Sequence, residues 1–146
     1  MNAENFFNAE QRQRIVSAIE HAELNTSGEI RVHVENHCKK DVMDRACQVF
    51  SSLNMQKTHL RNGVLIYLAI KDKQLAIIGD VAINEKVADD FWDSTKTIIL
   101  NEFKKGQFCD GLSKGIESVG EQLQDFFPYQ SDDINELSDE ISFGKN

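Results

Sequence analysis

The sequence predicts an α/β protein, a three-layer α/β/α sandwich around a small mixed sheet, with its elements in the order α-β-α-β-β-α-α. Residues 61–80 contain two apolar segments joined by four polar residues, which is typical of a hairpin. Both segments are apolar on both faces, as are strands in the middle of a covered sheet. Segments with apolar residues at helical spacing precede and follow this hairpin, so helices are available to cover both faces.

The first three elements are predicted to be a helix, a strand and a second helix. Asn8 is a favourable N-cap for a helix over residues 8–22, and Gln11 can complete a capping box. Residues 29–35 alternate between apolar and polar, which predicts a half-exposed strand near a sheet edge. Residues 41–53 return to helical spacing. A helix between two strands favours a βαβ unit with parallel strands and a right-handed crossover.

The second half of the chain begins with the hairpin, which pairs strands over residues 64–70 and 75–78. Asn84 can then cap a long helix that runs to about residue 105, where Gly106 ends it. A last helix is expected over residues 110–126. The chain therefore divides into one domain, 1–128, and an acidic C-terminal tail, 129–146. The tail is expected to be partly docked or flexible, because it is acidic but also contains apolar residues.

Composition narrows the classes of function. The length of 146 residues fits one domain, and the net charge of −8 argues against binding to nucleic acid or to an anionic membrane. No segment reaches the roughly 18 apolar residues of a membrane span. The N-terminal residues lack the pattern of a secretory signal, so a cytoplasmic location is expected. Three cysteines without paired spacing are expected to be free thiols.

Two further patterns are not taken as functional signals. Residues 111–115 match G-x-S-x-G, but a nucleophile elbow needs a preceding strand, and this segment is predicted to lie in a helix. The four histidines show no metal-ligand spacing and are expected at the surface. They are His21, His33, His37 and His59.

Polar residues converge at one edge of the predicted sheet. Because the first two strands are parallel and the third is antiparallel to the second, three glycine-containing turns should meet there. Oxygen atoms from such turns and from the acids that follow the hairpin suit a hard cation such as Ca²⁺ or Mg²⁺. An alternative interpretation is that these residues are turn residues, helix caps and solvated acids. The candidate ligands are Asp80, Asp89, Asp93, Glu29 and Asn62.

Four motifs resemble the TPM domain family over about residues 6–127. They are TSGEIRV at 26–32, RNGVLIY at 61–67, IIGD at 77–80 and FWD at 91–93. The tail resembles that of short bacterial members without a membrane anchor. The resemblance implies an α/β/α sandwich, divalent-cation binding and an acid phosphatase activity attributed to plant members. It matches Asp80, Asp89 and Asp93 to the acidic cluster of the family.

Two functions are consistent with these observations. The first is a cation-binding domain that acts as a protein-interaction or accessory module. The second is a metal-assisted phosphomonoesterase, in which Asp80 and Arg61 are the catalytic candidates: the carboxylate would hold the cation, and the guanidinium would neutralise developing charge. The module is favoured, because the sequence offers candidate oxygen ligands but no motif for a nucleophile.

Overall fold

The computed structural model describes residues 3–130 and 135–144, and it has the predicted α/β/α architecture. Its helices are α1 (Ala9–Glu23), α2 (Val42–Ser52), α3 (Val81–Asn84), α4 (Asp93–Lys104) and α5 (Phe108–Gln124). Its strands are β1 (Glu29–Glu35), β2 (Gly63–Ala69), β3 (Gln74–Gly79) and β4 (Ser142–Phe143). The strands form one mixed sheet in the order β3-β2-β1-β4. β1 is parallel to β2 and β4, and β3 is antiparallel to β2.

The two faces of the sheet pack against different helices. Apolar residues of β1 such as Ile30 and Val32 share the larger core with α1, α4 and α5. On the opposite face, Leu65 and Tyr67 of β2 pack with Val49 of α2. Helices on both faces explain why every residue of β2 is buried, as its continuous apolar run predicts.

The start of α1 is fixed by the capping box that the sequence predicts. The side-chain oxygen of Asn8 accepts from the Gln11 N–H at 2.8 Å, and the Gln11 side chain accepts from the Asn8 N–H at 2.9 Å. Each bond satisfies a backbone donor that the first turn of a helix leaves unpaired.

α4 and α5 pack closely because of a glycine at their contact. A Cβ atom on Gly115 would lie 2.5 Å from the Ile99 side chain, so a larger residue would push the helices apart. Gly111 and Gly115 are both inside α5, which confirms that the G-x-S-x-G match has no strand before it. Cys38, Cys47 and Cys109 are free thiols, as expected.

The prediction of one long helix over residues 84–105 was wrong. Asp80, not Asn84, caps the short helix α3, and the chain then forms turns until α4 begins at Asp93. Trp92 is buried, and the Phe91 carbonyl accepts from the Gln122 side chain at 2.8 Å. These contacts draw the backbone toward the core, which a continuous helix from residue 84 would not allow.

The prediction that β1 is a half-exposed strand near a sheet edge was also wrong. β1 lies between β2 and β4, and every residue except Arg31 is buried. His33 is buried too, which corrects the expectation that all four histidines lie at the surface. The polar face of β1 is covered because α2 and a distant C-terminal segment supply hydrogen-bonding partners for it.

That C-terminal segment contacts β1 over residues 135–144. β4 pairs with β1, placing His33 opposite Ser142. Nearer the start of β1, the Glu29 carboxylate accepts from the backbone N–H groups of Glu136 and Leu137. Residues 131–134, 145 and 146 of the predicted tail lie outside the described residues, and the domain boundary after residue 128 stays a prediction.

Candidate functional site

The end of β3 meets the starts of β1 and β2 at one edge of the sheet, as the strand directions predict. The Asp80 N–H donates to the Gly63 carbonyl at 2.9 Å. The Glu29 N–H donates to the Asn62 carbonyl at 3.4 Å, and Glu29 pairs in register with Gly63. The three turns that carry the candidate ligands are therefore neighbours in space.

Asp80 is engaged in an ion pair at this edge. Its carboxylate accepts from Arg61 Nε at 2.7 Å and from Arg61 Nη2 at 2.9 Å. It also accepts from the Val81 N–H at 2.7 Å, which caps α3. Arg61 has a φ of +53°, and its carbonyl accepts from the Ala82 N–H. The hydrogen bond to Asp80 raises the pKa of Arg61, so the guanidinium stays charged.

Asn62 and Glu29 face other partners. Asn62 is buried, and its Nδ2 donates to Ser27 Oγ at 3.3 Å. Glu29 Oε1 accepts from the Glu136 and Leu137 N–H groups at 2.5 and 2.7 Å. Burial raises the pKa of Glu29, although these two bonds oppose the rise. The carboxylate of Glu29 therefore binds the C-terminal segment, whereas that of Asp80 binds Arg61.

The acids that follow the hairpin are only partly brought to Asp80. Asp89 is exposed and lines the same groove as Asp80. Asp93 is exposed in the first turn of α4 and is not among the residues that line the groove. Within residues 3–130 and 135–144, no group of three or more His, Cys, Asp or Glu side chains is placed to hold a metal ion.

The groove that contains Asp80 and Asp89 follows the outer edge of β3, and we call it the β3 groove. Its volume is about 590 Å³. α2 contributes one wall, and the α3–α4 region contributes the other. Most of the lining is apolar, and its charged side chains are Asp80, Asp89 and Lys96. The apolar side chains include Met43, Phe50, Ile77, Val81, Val87 and Trp92.

A second polar cluster, which the sequence analysis missed, is buried between β1, β2 and α2. Glu35 is 0% exposed and accepts from Arg45 Nε at 2.9 Å and Nη2 at 2.8 Å. The Tyr67 hydroxyl also donates to Glu35. His33 Nε2 lies 2.9 Å from Glu35 Oε1, and His33 Nδ1 lies 2.9 Å from Ser142 Oγ. We call these five residues the Glu35 network.

The protonation states in the Glu35 network follow from its hydrogen bonds. Burial would raise the pKa of Glu35, but the bonds from Arg45, Tyr67 and His33 outweigh burial and lower it to about 2. Burial lowers the pKa of His33, so its ring is neutral at pH 7. Because a carboxylate only accepts, His33 Nε2 donates to Glu35, and Nδ1 accepts from Ser142. The network is fully paired and stabilises the fold.

A sequence signal for this network existed in the βαβ register. β1 pairs with β2 so that His33 lies opposite Tyr67, and Glu35 follows two residues later on the same face. Polar residues that share a face with a tyrosine of a buried strand are candidates for a buried cluster. The fourth and fifth members, Arg45 and Ser142, come from other elements and leave no such signal.

The chain is similar to known proteins in both sequence and fold. A family model for the TPM domain matches residues 1–122. The chain belongs to the TPM domain family. The NMR structure of the BA42 protein from the psychrophilic bacterium Bizionia argentinensis is similar to this TPM domain, with 52% sequence identity, a TM-score of 0.91 and coverage of 97% of each chain. No curated protein matches it. Within its described residues, no helix is long and apolar enough to cross a membrane.

Proposed function

We propose that this TPM domain is a divalent-cation-binding interaction module, and that its binding surface is the β3 groove. The observation that carries the proposal is the groove itself, which joins apolar walls to two carboxylates along an edge strand. Ligand sites are typically concave and mostly apolar, with a few polar groups that orient the ligand. The occupant that fits this surface is an extended segment of a partner protein.

The backbone of β3 supports this occupant. Asp80 bonds to Gly63 of β2, so alternate residues of β3 direct their N–H and C=O groups toward β2. The backbone N–H and C=O groups of Leu75, Ile77 and Gly79 point away from β2, toward the open side of β3. The Gly79 carbonyl accepts from the Asn84 side chain at 3.0 Å. An extended peptide that adds to β3 would bond to the remaining groups.

The walls of the β3 groove supply apolar contacts for the same segment. Met43 on the α2 side is 42% exposed, and Val81 on the α3 side is 47% exposed. Phe50 and Trp92 line the groove but are nearly buried. Side chains of an extended peptide alternate in direction, so one set would contact each wall. Burial of these apolar surfaces would drive binding.

We expect a divalent cation to bind weakly in this groove and to assist the binding of the partner. Asp80 and Asp89 offer two carboxylates, and Asn84 adds an amide oxygen. Mg²⁺ is commonly held by one or two carboxylates and keeps several waters, whereas Ca²⁺ takes six to eight oxygen ligands. The donor set therefore suits a hydrated Mg²⁺ better than a Ca²⁺ cage. A bound cation would supply positive charge that offsets the two carboxylates and attracts an oxygen of the partner.

Cation binding in the β3 groove should depend on Asp89 and be opposed by Arg61. We expect Asp89→Asn to weaken Mg²⁺ binding by about tenfold, which corresponds to ~1.4 kcal/mol. Arg61→Asn should strengthen it, because the guanidinium competes for Asp80 and asparagine tolerates the positive φ of this position. Mg²⁺ titration followed by ¹H–¹⁵N NMR measures both effects at the amides of Asp80 and Val81.

Asp90→Asn is the matched control for Asp89→Asn. Asp90 is adjacent and exposed, but it is not among the residues that line the groove. The control should therefore bind Mg²⁺ like the unsubstituted chain. Equal loss of affinity in the two variants would show that Mg²⁺ responds only to net charge and would contradict a site in the groove.

The metal-assisted phosphomonoesterase is the second candidate, favoured by the position of Arg61 and Asp80 beside the groove. Both guanidinium contacts of Arg61 go to Asp80, so a phosphoryl group would have to compete for them. A steady-state assay on a generic phosphate monoester, with and without Mg²⁺, separates the two functions. The module predicts no turnover. Turnover that Asp80→Asn abolishes would favour the enzyme.

A further inference from the structure

A second pocket, distinct from the β3 groove, lies where β1, the turn after α2 and residues 136–138 meet. Its volume is about 310 Å³, and it shares no lining residue with the β3 groove. Its lining includes Arg31 and Lys57, and its polar groups also come from Thr58 and Ser138. The charged side chains of its lining are Arg31, Lys57 and Glu136, so the lining has a net charge of +1 on a chain whose net charge is −8.

Arg31 lines this pocket and has no polar partner among the residues that the structure describes. Its Nε is buried and has no hydrogen-bond partner, and Arg31 makes no ion pair with any residue of 3–130 or 135–144. Burial lowers the pKa of Arg31, which reflects the cost of removing its charge from water. A desolvated guanidinium without a counter-ion is destabilising unless an anion binds to it.

Thr58 gives an independent observation in the same pocket. Its residue is 4% exposed, and its hydroxyl is buried with no hydrogen-bond partner. Buried hydroxyl groups are usually hydrogen-bonded, so this unpaired one offers a donor and an acceptor that a bound ligand or a water can satisfy. Lys57 is exposed beside it and makes no ion pair within the described ranges.

The carboxylates of Glu136 and Glu29 accept hydrogen bonds from backbone N–H groups rather than from Arg31 or Lys57. Both carboxylate oxygens of Glu136, which lines the pocket, accept from the His59 N–H at 3.1 and 3.2 Å. The Glu29 carboxylate accepts from the Glu136 and Leu137 N–H groups. Neither carboxylate pairs with Arg31 or Lys57, so these two cations are available to a ligand.

We propose that this pocket binds a small oxyanion, such as inorganic phosphate or the phosphate group of a metabolite. Arg31 provides the planar fork of donors that matches a tetrahedral oxyanion, and Lys57 adds a second positive charge. The Thr58 hydroxyl donates a hydrogen bond to the same ligand. The site involves no residue of the β3 groove and holds whether or not that groove binds a cation or a partner.

Titration with sodium phosphate at pH 7 and constant ionic strength, followed by ¹H–¹⁵N NMR, tests the site. We expect saturable shifts at the amides of Arg31, Thr58 and Leu137. Arg31→Gln should weaken phosphate binding by about 10- to 100-fold, as loss of a charged hydrogen-bonding partner does. Thr58→Val, which keeps the shape but removes the hydroxyl, should weaken it by about 2- to 10-fold.

Arg14→Gln is the matched control for this experiment. Arg14 lies on α1, is 52% exposed and pairs with Asp110, so its loss should leave phosphate binding unchanged. A thermal melt in chloride alone confirms that each variant is folded. Shifts that do not saturate, or equal affinity in Arg31→Gln and Arg14→Gln, would overturn the proposal. A parallel titration with glucose 6-phosphate shows whether the phosphate group of a metabolite binds more tightly than free phosphate.

Discussion

Arg45→Met is expected to lower the free energy of unfolding at pH 7 by about 3–5 kcal/mol, because it leaves a buried carboxylate without its counter-ion. Glu35 is 0% exposed and receives two hydrogen bonds from Arg45. Methionine can fill most of the space of the arginine stem, so the loss would come from charge rather than from a cavity. Urea denaturation measures the change.

A double-mutant cycle provides the control for Arg45→Met. Adding Glu35→Gln to Arg45→Met removes the stranded charge, so the double variant should be more stable than Arg45→Met alone. Equal stability of the two variants would show that Glu35 is not an uncompensated charge, and it would contradict the role given to the Glu35 network.

The Glu35 network also makes the stability of the fold decrease at acid pH. The pKa of Glu35 is lowered to about 2 in the folded state, from 4.5 in the unfolded state. Its contribution is therefore fully present above about pH 4.5 and is lost as the pH falls toward 2. Loss of Arg45 should raise this pKa and move the acid transition to higher pH.

Glu23→Gln is expected to raise the free energy of unfolding by about 3–5 kcal/mol at pH 8. Glu23 Oε2 accepts from the Ile30 N–H at 3.0 Å. Burial raises the pKa of Glu23 to about 9, and a hydrogen bond with Asp139 adds to the rise. The nearby Glu29 carboxylate acts in the same direction. Folded Glu23 therefore keeps its proton at neutral pH at a cost in stability, and glutamine supplies the same donor and acceptor without that cost.

The sign of this effect depends on pH. Between about pH 4.5 and 9, folded Glu23 holds a proton that the unfolded chain releases, so stability falls as the pH rises. The limiting slope is ~1.4 kcal/mol per pH unit. Glu23→Gln should match the unsubstituted chain near pH 4 and exceed it at pH 8. Urea denaturation at the two pH values measures the difference.

Glu20→Gln is the matched control for Glu23→Gln. Glu20 is exposed on the same helix and lines the same surface pocket as Glu23 and Asp139. It should change stability little at either pH. A gain at pH 8 of the same size in both variants would reflect reduced net charge alone and would contradict a protonated Glu23.

The hairpin and the meeting of turns at one sheet edge could be predicted from the sequence, because both depend on local patterns. Two apolar runs and a polar turn fix the hairpin, and strand direction then places Asn62 beside Asp80. The burial of β1 could not be predicted in this way. In the sequence, the alternation of its polar and apolar residues predicts an exposed face. Their partners, such as Arg45 and Ser142, lie on other elements, and the local pattern does not reveal them.

The positions of some candidate ligands likewise follow from local sequence, whereas those of others depend on distant parts of the chain. Asp80 and Asp89 share the β3 groove, since both follow the hairpin closely in sequence. Glu29 begins a neighbouring strand, yet its carboxylate binds backbone N–H groups more than 100 residues away in sequence. Asp93 was expected on a continuous helix, and the break before α4 changes its position relative to Asp80.

Binding of an extended peptide to the β3 groove tests the central claim most directly. The probe is a capped eight-residue peptide that alternates valine and lysine, whose charge complements the acidic chain, titrated with and without Mg²⁺ and followed by ¹H–¹⁵N NMR. We predict saturable shifts at Leu75, Ile77 and Gly79, lost in Val81→Glu and kept in Leu100→Glu, whose side chain is 43% exposed on α4 outside the groove. Absence of saturable shifts along β3, or equal binding by the two variants, would contradict the account.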